Sequence, residues 1–288
     1  MASFDFIEAA ARGYEFTWRE RRALLRAGMP VVVIHIVCIM MVYALQVHER
    51  YLLSGLILMP AYVFEALYVV SVVRFMVFGE RLFDFFNMGK GEYAEEEAEN
   101  VPQQANKNTA FPQEKVSQSL SSHSSVQSFK AAFVIYMLLK VLDEGARGAI
   151  QDYDRIWGGE ESLFVLDQSP LAAIFILLAT GAALWLFRIM WLYIPVALGF
   201  SIRGFLRCAK GMMSSLSMFA TWFVCYFPLL IAIVVCLMVV SFFVPTESAV
   251  QVIVFDVVRV TGSLLLMVVQ VAAMTFGYLE MLAQRSRK

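Results

Sequence analysis

The residues of this sequence that could do chemistry are ionisable side chains set inside long apolar runs. Glu65 lies within the run Tyr51–Phe78, five residues after Pro60. A charged side chain at the bilayer centre costs about 2.5 to 3.5 kcal/mol on insertion, so such a residue needs a reason to be there. Proline removes a backbone donor and bends the helix around it. A carboxylate beside a kink predicts a binding or proton position. The plainer alternative is a carboxyl paired with a cation on another helix, or protonated by desolvation, that serves packing. Lys140, Asp143, Glu144 and Arg147 fall at i, i+3, i+4 and i+7, which puts them on one helical stripe. That stripe either lines an aqueous vestibule or leaves the membrane with its charges paired among themselves. Asp256 and Arg259, three residues apart, can pair on one helix face. A sharper expectation has Arg259 reaching Glu65 across the bundle, and Gln270 is expected to hydrogen-bond between helices.

The elements that must position these residues follow from composition. Of 288 residues, 60% are hydrophobic and 16% charged, and the mean hydropathy is +0.67. This is a membrane composition rather than that of a soluble globule. A formal net charge of -1 excludes a nucleic-acid partner, which would need a surplus of Lys and Arg. A spanning helix needs about 20 mostly apolar residues. Met29–Gln46, Tyr51–Phe78, Pro170–Gly199, Met218–Val244 and Val250–Tyr278 qualify. A sixth run, Phe129–Ile150, is interrupted by Lys140, Asp143, Glu144 and Arg147 and is the weakest of the set. The expected fold is therefore all-α: a polytopic membrane protein with about six transmembrane helices plus amphipathic interfacial helices.

Lys and Arg set orientation because cationic loops resist translocation. They gather before the first run (Arg12, Arg19, Arg21, Arg22, Arg26), after the second, after the fourth (Arg203, Arg207, Lys210) and in the tail (Arg285, Arg287, Lys288). Six spans with both termini cytoplasmic satisfy every loop. Arg74 and Arg188, near inner helix ends, should snorkel to headgroups. Segment 1–28 reads as a cytoplasmic amphipathic stretch, 29–87 as the first two spans, 88–127 as a disordered cytoplasmic linker and 128–288 as spans three to six. The linker passes from Glu95, Glu96, Glu97 and Glu99 into a Gln-, Asn- and Ser-rich tract, a composition that cannot bury enough apolar area to fold.

Two stretches carry apolar residues at helical spacing opposite charge. One has Ile202, Phe205, Leu206, Ala209 and Met213 against Arg203, Arg207 and Lys210; the other has Ile7, Ala11, Tyr14 and Trp18 ahead of clustered arginines. The first should lie on the inner leaflet and meet anionic lipid; the second either does the same or serves as a plain positive-inside anchor for the first span. Four cysteines without C-x-x-C or His at ligand spacing read as packing residues. No phosphate loop, nucleophile elbow or zinc motif is present, and His35, His48 and His123 suggest no site. No cofactor, metal or catalytic residue is expected.

The stretches AAARGYEFTWRERRALLRAGMP (Ala9–Pro30) and RFMVFGER (Arg74–Arg81) resemble a set of uncharacterised six-helix bacterial inner-membrane proteins. Arg188, Pro195 and Leu206 are similar in layout to YciC-like proteins and to the membrane domain that accompanies some glycerophosphodiester phosphodiesterases. Val72 and Val73 stand where that family has Trp and His, and the Ser-rich linker reads as an insertion. The resemblance implies a bacterial inner-membrane location and carries no catalytic residue. The leading functional reading is a non-enzymatic scaffold or modulator of a membrane process, with a membrane-protein partner. The alternative is a transporter or channel-like subunit using Glu65 and the polar stripe.

Overall fold

The computed structural model describes residues 4–45, 51–80, 82, 125–157, 178, 180–243 and 249–286. Among them there is no strand. The elements are α1 (Phe6–Arg19), α2 (Arg21–Ala44), α3 (Tyr51–Phe78), α4 (Ser125–Trp157), a 3-10 helix (Phe187–Trp191), α5 (Tyr193–Ala197), α6 (Ile202–Cys208), α7 (Met212–Phe243) and α8 (Ala249–Ser286). Among the described residues five segments are long and apolar enough to cross a bilayer: Arg21–Ala44, Leu53–Phe78, Thr180–Ala197, Met212–Phe243 and Gln251–Gln284. The chain is an all-α, multi-pass membrane protein. At 33 residues α4 is also long enough, at about 1.5 Å per residue, but its charges set it apart from those five. The expected linker is outside the described residues up to 124, as are the segment 158–170, His48, His123 and the side chain of Arg147.

α8 is the spine of the bundle, packing against α1, α2, α3 and α7. Small residues make this possible, because in lipid helices associate by close backbone approach rather than by expelling water. A Cβ on Gly13 would sit 2.8 Å from both N and Cβ of Ala273 and 2.9 Å from the Val269 carbonyl. Gly277 receives the ring of Phe4 in the same way. α1 therefore docks through Ala9, Ala10, Gly13, Phe16 and Thr17, all buried, while Ile7 and Trp18 are exposed. Of the stripe expected to be its interfacial face, Ile7, Ala11 and Trp18 are exposed, as that expectation requires, while Tyr14 is half-buried against α7. Asp5 caps α1 by accepting from the N–H groups of Ile7 and Glu8, relieving two of the unpaired donors of the first turn. Tyr14 donates to the Cys225 carbonyl at 2.8 Å, tying α1 to α7. Burial, with Cys225 beside it, pushes the Tyr14 phenol up to about 12, so it stays a donor throughout the neutral range.

α6, by contrast, departs from expectation. Phe205 and Ala209, the middle of its apolar stripe, are buried in the core, with Phe205 edge-on to Tyr278 at 5.5 Å. Only Ile202 and Met213 at the ends of the stripe are exposed. Protein packing takes the face that the amphipathic pattern assigned to lipid.

Arg74 and Arg188 do not snorkel. Both are buried, because the broken stretch between the 3-10 helix and α7 leaves backbone carbonyls that need donors. Gly79 turns the chain after α3 with φ of 68°, and Glu80 comes back onto the guanidinium of Arg74, its Oε2 2.6 Å from Nε and its Oε1 on Nη2. Nη1 of Arg74 donates to the Ala197 carbonyl at 3.2 Å. Arg188 donates to the Ala209 carbonyl at 3.0 Å and lies 3.8 Å from the Trp185 ring centre. The Arg-Phe-Met-Val-Phe-Gly-Glu stretch is thus a clamp between the end of α3 and the end of α5.

Gly13→Ala is expected to push α1 off α8, since the atoms it meets are backbone. The cost should be in the overpacking range of about 1 to 3 kcal/mol, read as a lowered thermal midpoint in detergent together with faster proteolysis at the α1–α2 joint.

Candidate functional site

Glu65 is the middle of α3, with 14 of its 28 residues before it and 13 after. It is buried, 4% exposed. Antiparallel packing of α2 on α3 places His35 beside it, Nε2 3.6 Å from Oε2 of Glu65. α4 supplies two more donors one turn apart. Tyr136 donates to Oε1 of Glu65 at 2.6 Å, and Nζ of Lys140 lies 3.3 Å from the same oxygen. Lys140 also reaches Glu144 at 3.8 Å and sits 5.1 Å from the ring centre of Tyr62. The Tyr62 ring in turn meets the His35 ring at 6.0 Å. On the other side of Tyr136, the Tyr193 ring packs edge-on at 5.1 Å, and Met267 Sδ of α8 lies 3.2 Å from its hydroxyl.

Three helices therefore meet at one carboxyl group. Such an arrangement satisfies a buried acid that would be costly alone. Lys140 carries its charge inward on a long apolar stem, and the π face of Tyr62 holds it by cation–π attraction.

A cleft of about 160 Å³ opens beside the cluster, between α4, the 3-10 helix, α7 and α8, with Lys140, Asp143, Trp191 and Gln270 among its walls. Nε1 of Trp191 and Nε2 of Gln270 have no hydrogen-bond partner among the described residues. Both are donors. With Lys140 they make a wall suited to a small solute rich in acceptor oxygens.

Of the residues singled out from the sequence, Glu65, Lys140 and Glu144 come together here and Asp143 lines the adjoining cleft. Asp256 and Arg259 do not join them. Asp256 is buried with Oδ2 unpartnered and Arg259 is exposed, so neither their mutual ion pair nor a bridge from Arg259 to Glu65 forms; Lys140 on α4 takes that place. His35, from which no site was expected, is a partner of Glu65. Tyr136, Tyr62 and Tyr193 gave no signal in the sequence because aromatic residues in apolar runs are ordinarily packing.

Comparison with protein-family models, with curated proteins and with solved structures returned no match. The site is accordingly read from its own geometry.

Tyr136→Phe deletes one hydrogen bond to the Glu65 carboxyl and little volume. It is expected to destabilise the protein by about 1.5 to 3 kcal/mol, the range for bonds to charged groups, read as a lowered thermal midpoint in detergent.

Proposed function

We propose that the chain is a transporter or channel-like subunit of a bacterial inner membrane, with both termini cytoplasmic and α4 as a sixth span. Its working site is the Glu65, Lys140, Tyr136 and His35 cluster with the cleft beside it. The observation that carries this reading is the position of a buried acid, Glu65, at the middle of α3, paired with the half-buried Lys140 of α4 next to a cleft whose Trp191 and Gln270 donors have no partner among the described residues. Ionisable groups at such depth face solute paths and proton relays more often than lipid. A solute with a carboxylate or similar acceptor group entering the cleft competes with Glu65 for Lys140. His35 and Tyr136 then remain on the Glu65 carboxyl.

The second reading is the non-enzymatic scaffold, in which the cluster only pins α2, α3 and α4 together. It is favoured by the fact that both oxygens of Glu65 already have protein partners. Inner-leaflet anionic lipid and a membrane-protein partner belong to either reading.

Native mass spectrometry of protein purified in mild detergent separates the two. The transport reading expects a small acceptor-bearing molecule on the wild type, lost from folded Glu65→Gln and Lys140→Met proteins. A second protein at fixed stoichiometry, with no small molecule in any of the three, would replace it by the scaffold.

A further inference from the structure

A second concavity, unconnected with Glu65, follows the joint between α1 and α2. The two helices meet at Glu20, whose φ of -93° and ψ of 12° fall outside the helical region, and beyond this bend α2 meets α8 at Gly28 while its neighbouring turns leave a gap. The groove left between them has a volume of about 640 Å³. Along α2 its wall is Leu24, Leu25, Gly28, Met29 and Val32; along α8 it is Thr261, Leu264, Leu265, Val268 and Val269, with Leu229 of α7 between. Gly28 keeps it narrow at mid-length, since a Cβ there would meet Leu264 Cδ2 at 2.9 Å. The α8 wall, Thr261 to Val269, rises about 12 Å at 1.5 Å per residue. That is close to half of the hydrocarbon thickness of about 30 Å.

Polarity is confined almost wholly to the α1 end, where Glu15, Thr17, Trp18 and Arg21 form the mouth. The Arg21 guanidinium lies 4.7 Å from the Trp18 ring centre and donates to the Trp18 carbonyl at 2.8 Å. Trp18 is 71% exposed, and an exposed Trp beside Arg is what membrane-water interfaces favour. Arg19 is paired with Glu20 at 3.1 Å, while Arg21, Arg22 and Arg26 are exposed. Only Glu15 opposes them at the mouth, so positive charge is in excess there. The rim farther down, Leu25 and Met29, is exposed and apolar.

We propose that this groove holds one acyl chain of an anionic phospholipid from the leaflet at the α1 end, with its phosphate at Arg21. A closed cavity for a polar solute would need hydrogen-bonding groups along its length, and this groove has them almost only at its mouth. Charge at the mouth and apolar walls below it match a phosphate carrying a hydrocarbon tail.

The test uses the full chain in mild detergent, equilibrated with equal amounts of phosphatidylglycerol and phosphatidylcholine of identical chains, with retained lipid counted by native mass spectrometry. Wild type should keep one phosphatidylglycerol per chain with about a fivefold preference over phosphatidylcholine, the size of effect that one arginine near a membrane surface gives. Arg21→Gln should keep a lipid but lose the preference. Met29→Trp, at an exposed rim position where folding is not at stake, should reduce retention of both lipids at least fivefold while keeping the helical circular dichroism of wild type. Equal retention of the two lipids by wild type, undiminished retention by Met29→Trp, or a lipid-free dimer would each overturn the proposal.

Discussion

A carboxyl group at the middle of an apolar helix cannot be left alone, and the arrangement of α2, α3 and α4 answers that constraint. Glu65 would otherwise have to stay protonated or draw water into hydrocarbon. Here α2 contributes His35 and α4 contributes Tyr136 and Lys140. The cation gains as much as the acid. Lys140 lies in a helix whose charges make it the least apolar of the long ones, and its position inside the bundle is defined by Glu65 and the Tyr62 ring. Tyr193 against Tyr136 extends the same network to the broken segment that precedes α6.

The rest of the bundle divides the work differently. α8 is held by close approach of small residues, with Gly13 seated on Ala273 and Gly277 receiving Phe4. The broken region is held by charge-assisted hydrogen bonds from Arg74 and Arg188 to carbonyls no helix uses. α7 contributes little buried surface along its apolar length; besides its contacts with α1 and α8 it joins an aromatic group in which Phe187 meets Phe219 and Trp222. Such a division leaves the Glu65 site between elements that pack firmly on one side, α2 and α3, and loosely on the other, where the cleft opens toward α7.

Much of this was legible in the sequence. Long apolar runs gave α3 its bounds to the residue and placed the end of α7 and the start of α8 within one residue, because hydrophobic length is a strong signal; α7 starts six residues earlier and α8 ends eight residues later than their apolar runs. α2 begins earlier than expected, at Arg21 rather than Met29, since a helix can carry arginines through the interface. Glu65 stood out by its type and surroundings alone. Its partners did not, because periodicity within one helix says nothing of which helices touch, and a lone histidine or tyrosine in an apolar run carries no mark of its neighbour. The face of α6 was misassigned for a related reason: its apolar stripe was given to lipid, whereas Phe205 and Ala209 pack in the core. On α1 the exposed Ile7 and Trp18 agree with the expected stripe, but the packing face of Ala9, Ala10 and Gly13 left little trace because hydropathy weighs small residues lightly. Arg74 and Glu80 form a clamp only because Gly79 reverses the chain, which their spacing alone does not disclose.

The central claim, that Glu65 and Lys140 hold each other inside the bundle, is tested most directly by a double-mutant cycle. Glu65→Gln, Lys140→Met and the double variant would be compared with wild type by equilibrium unfolding in detergent micelles. Coupled residues give interaction energies of about 0.5 to 3 kcal/mol, and the account predicts a value in the upper half of that range, with the double variant more stable than the sum of the single losses. Additive losses would contradict it and leave each charge to be explained separately.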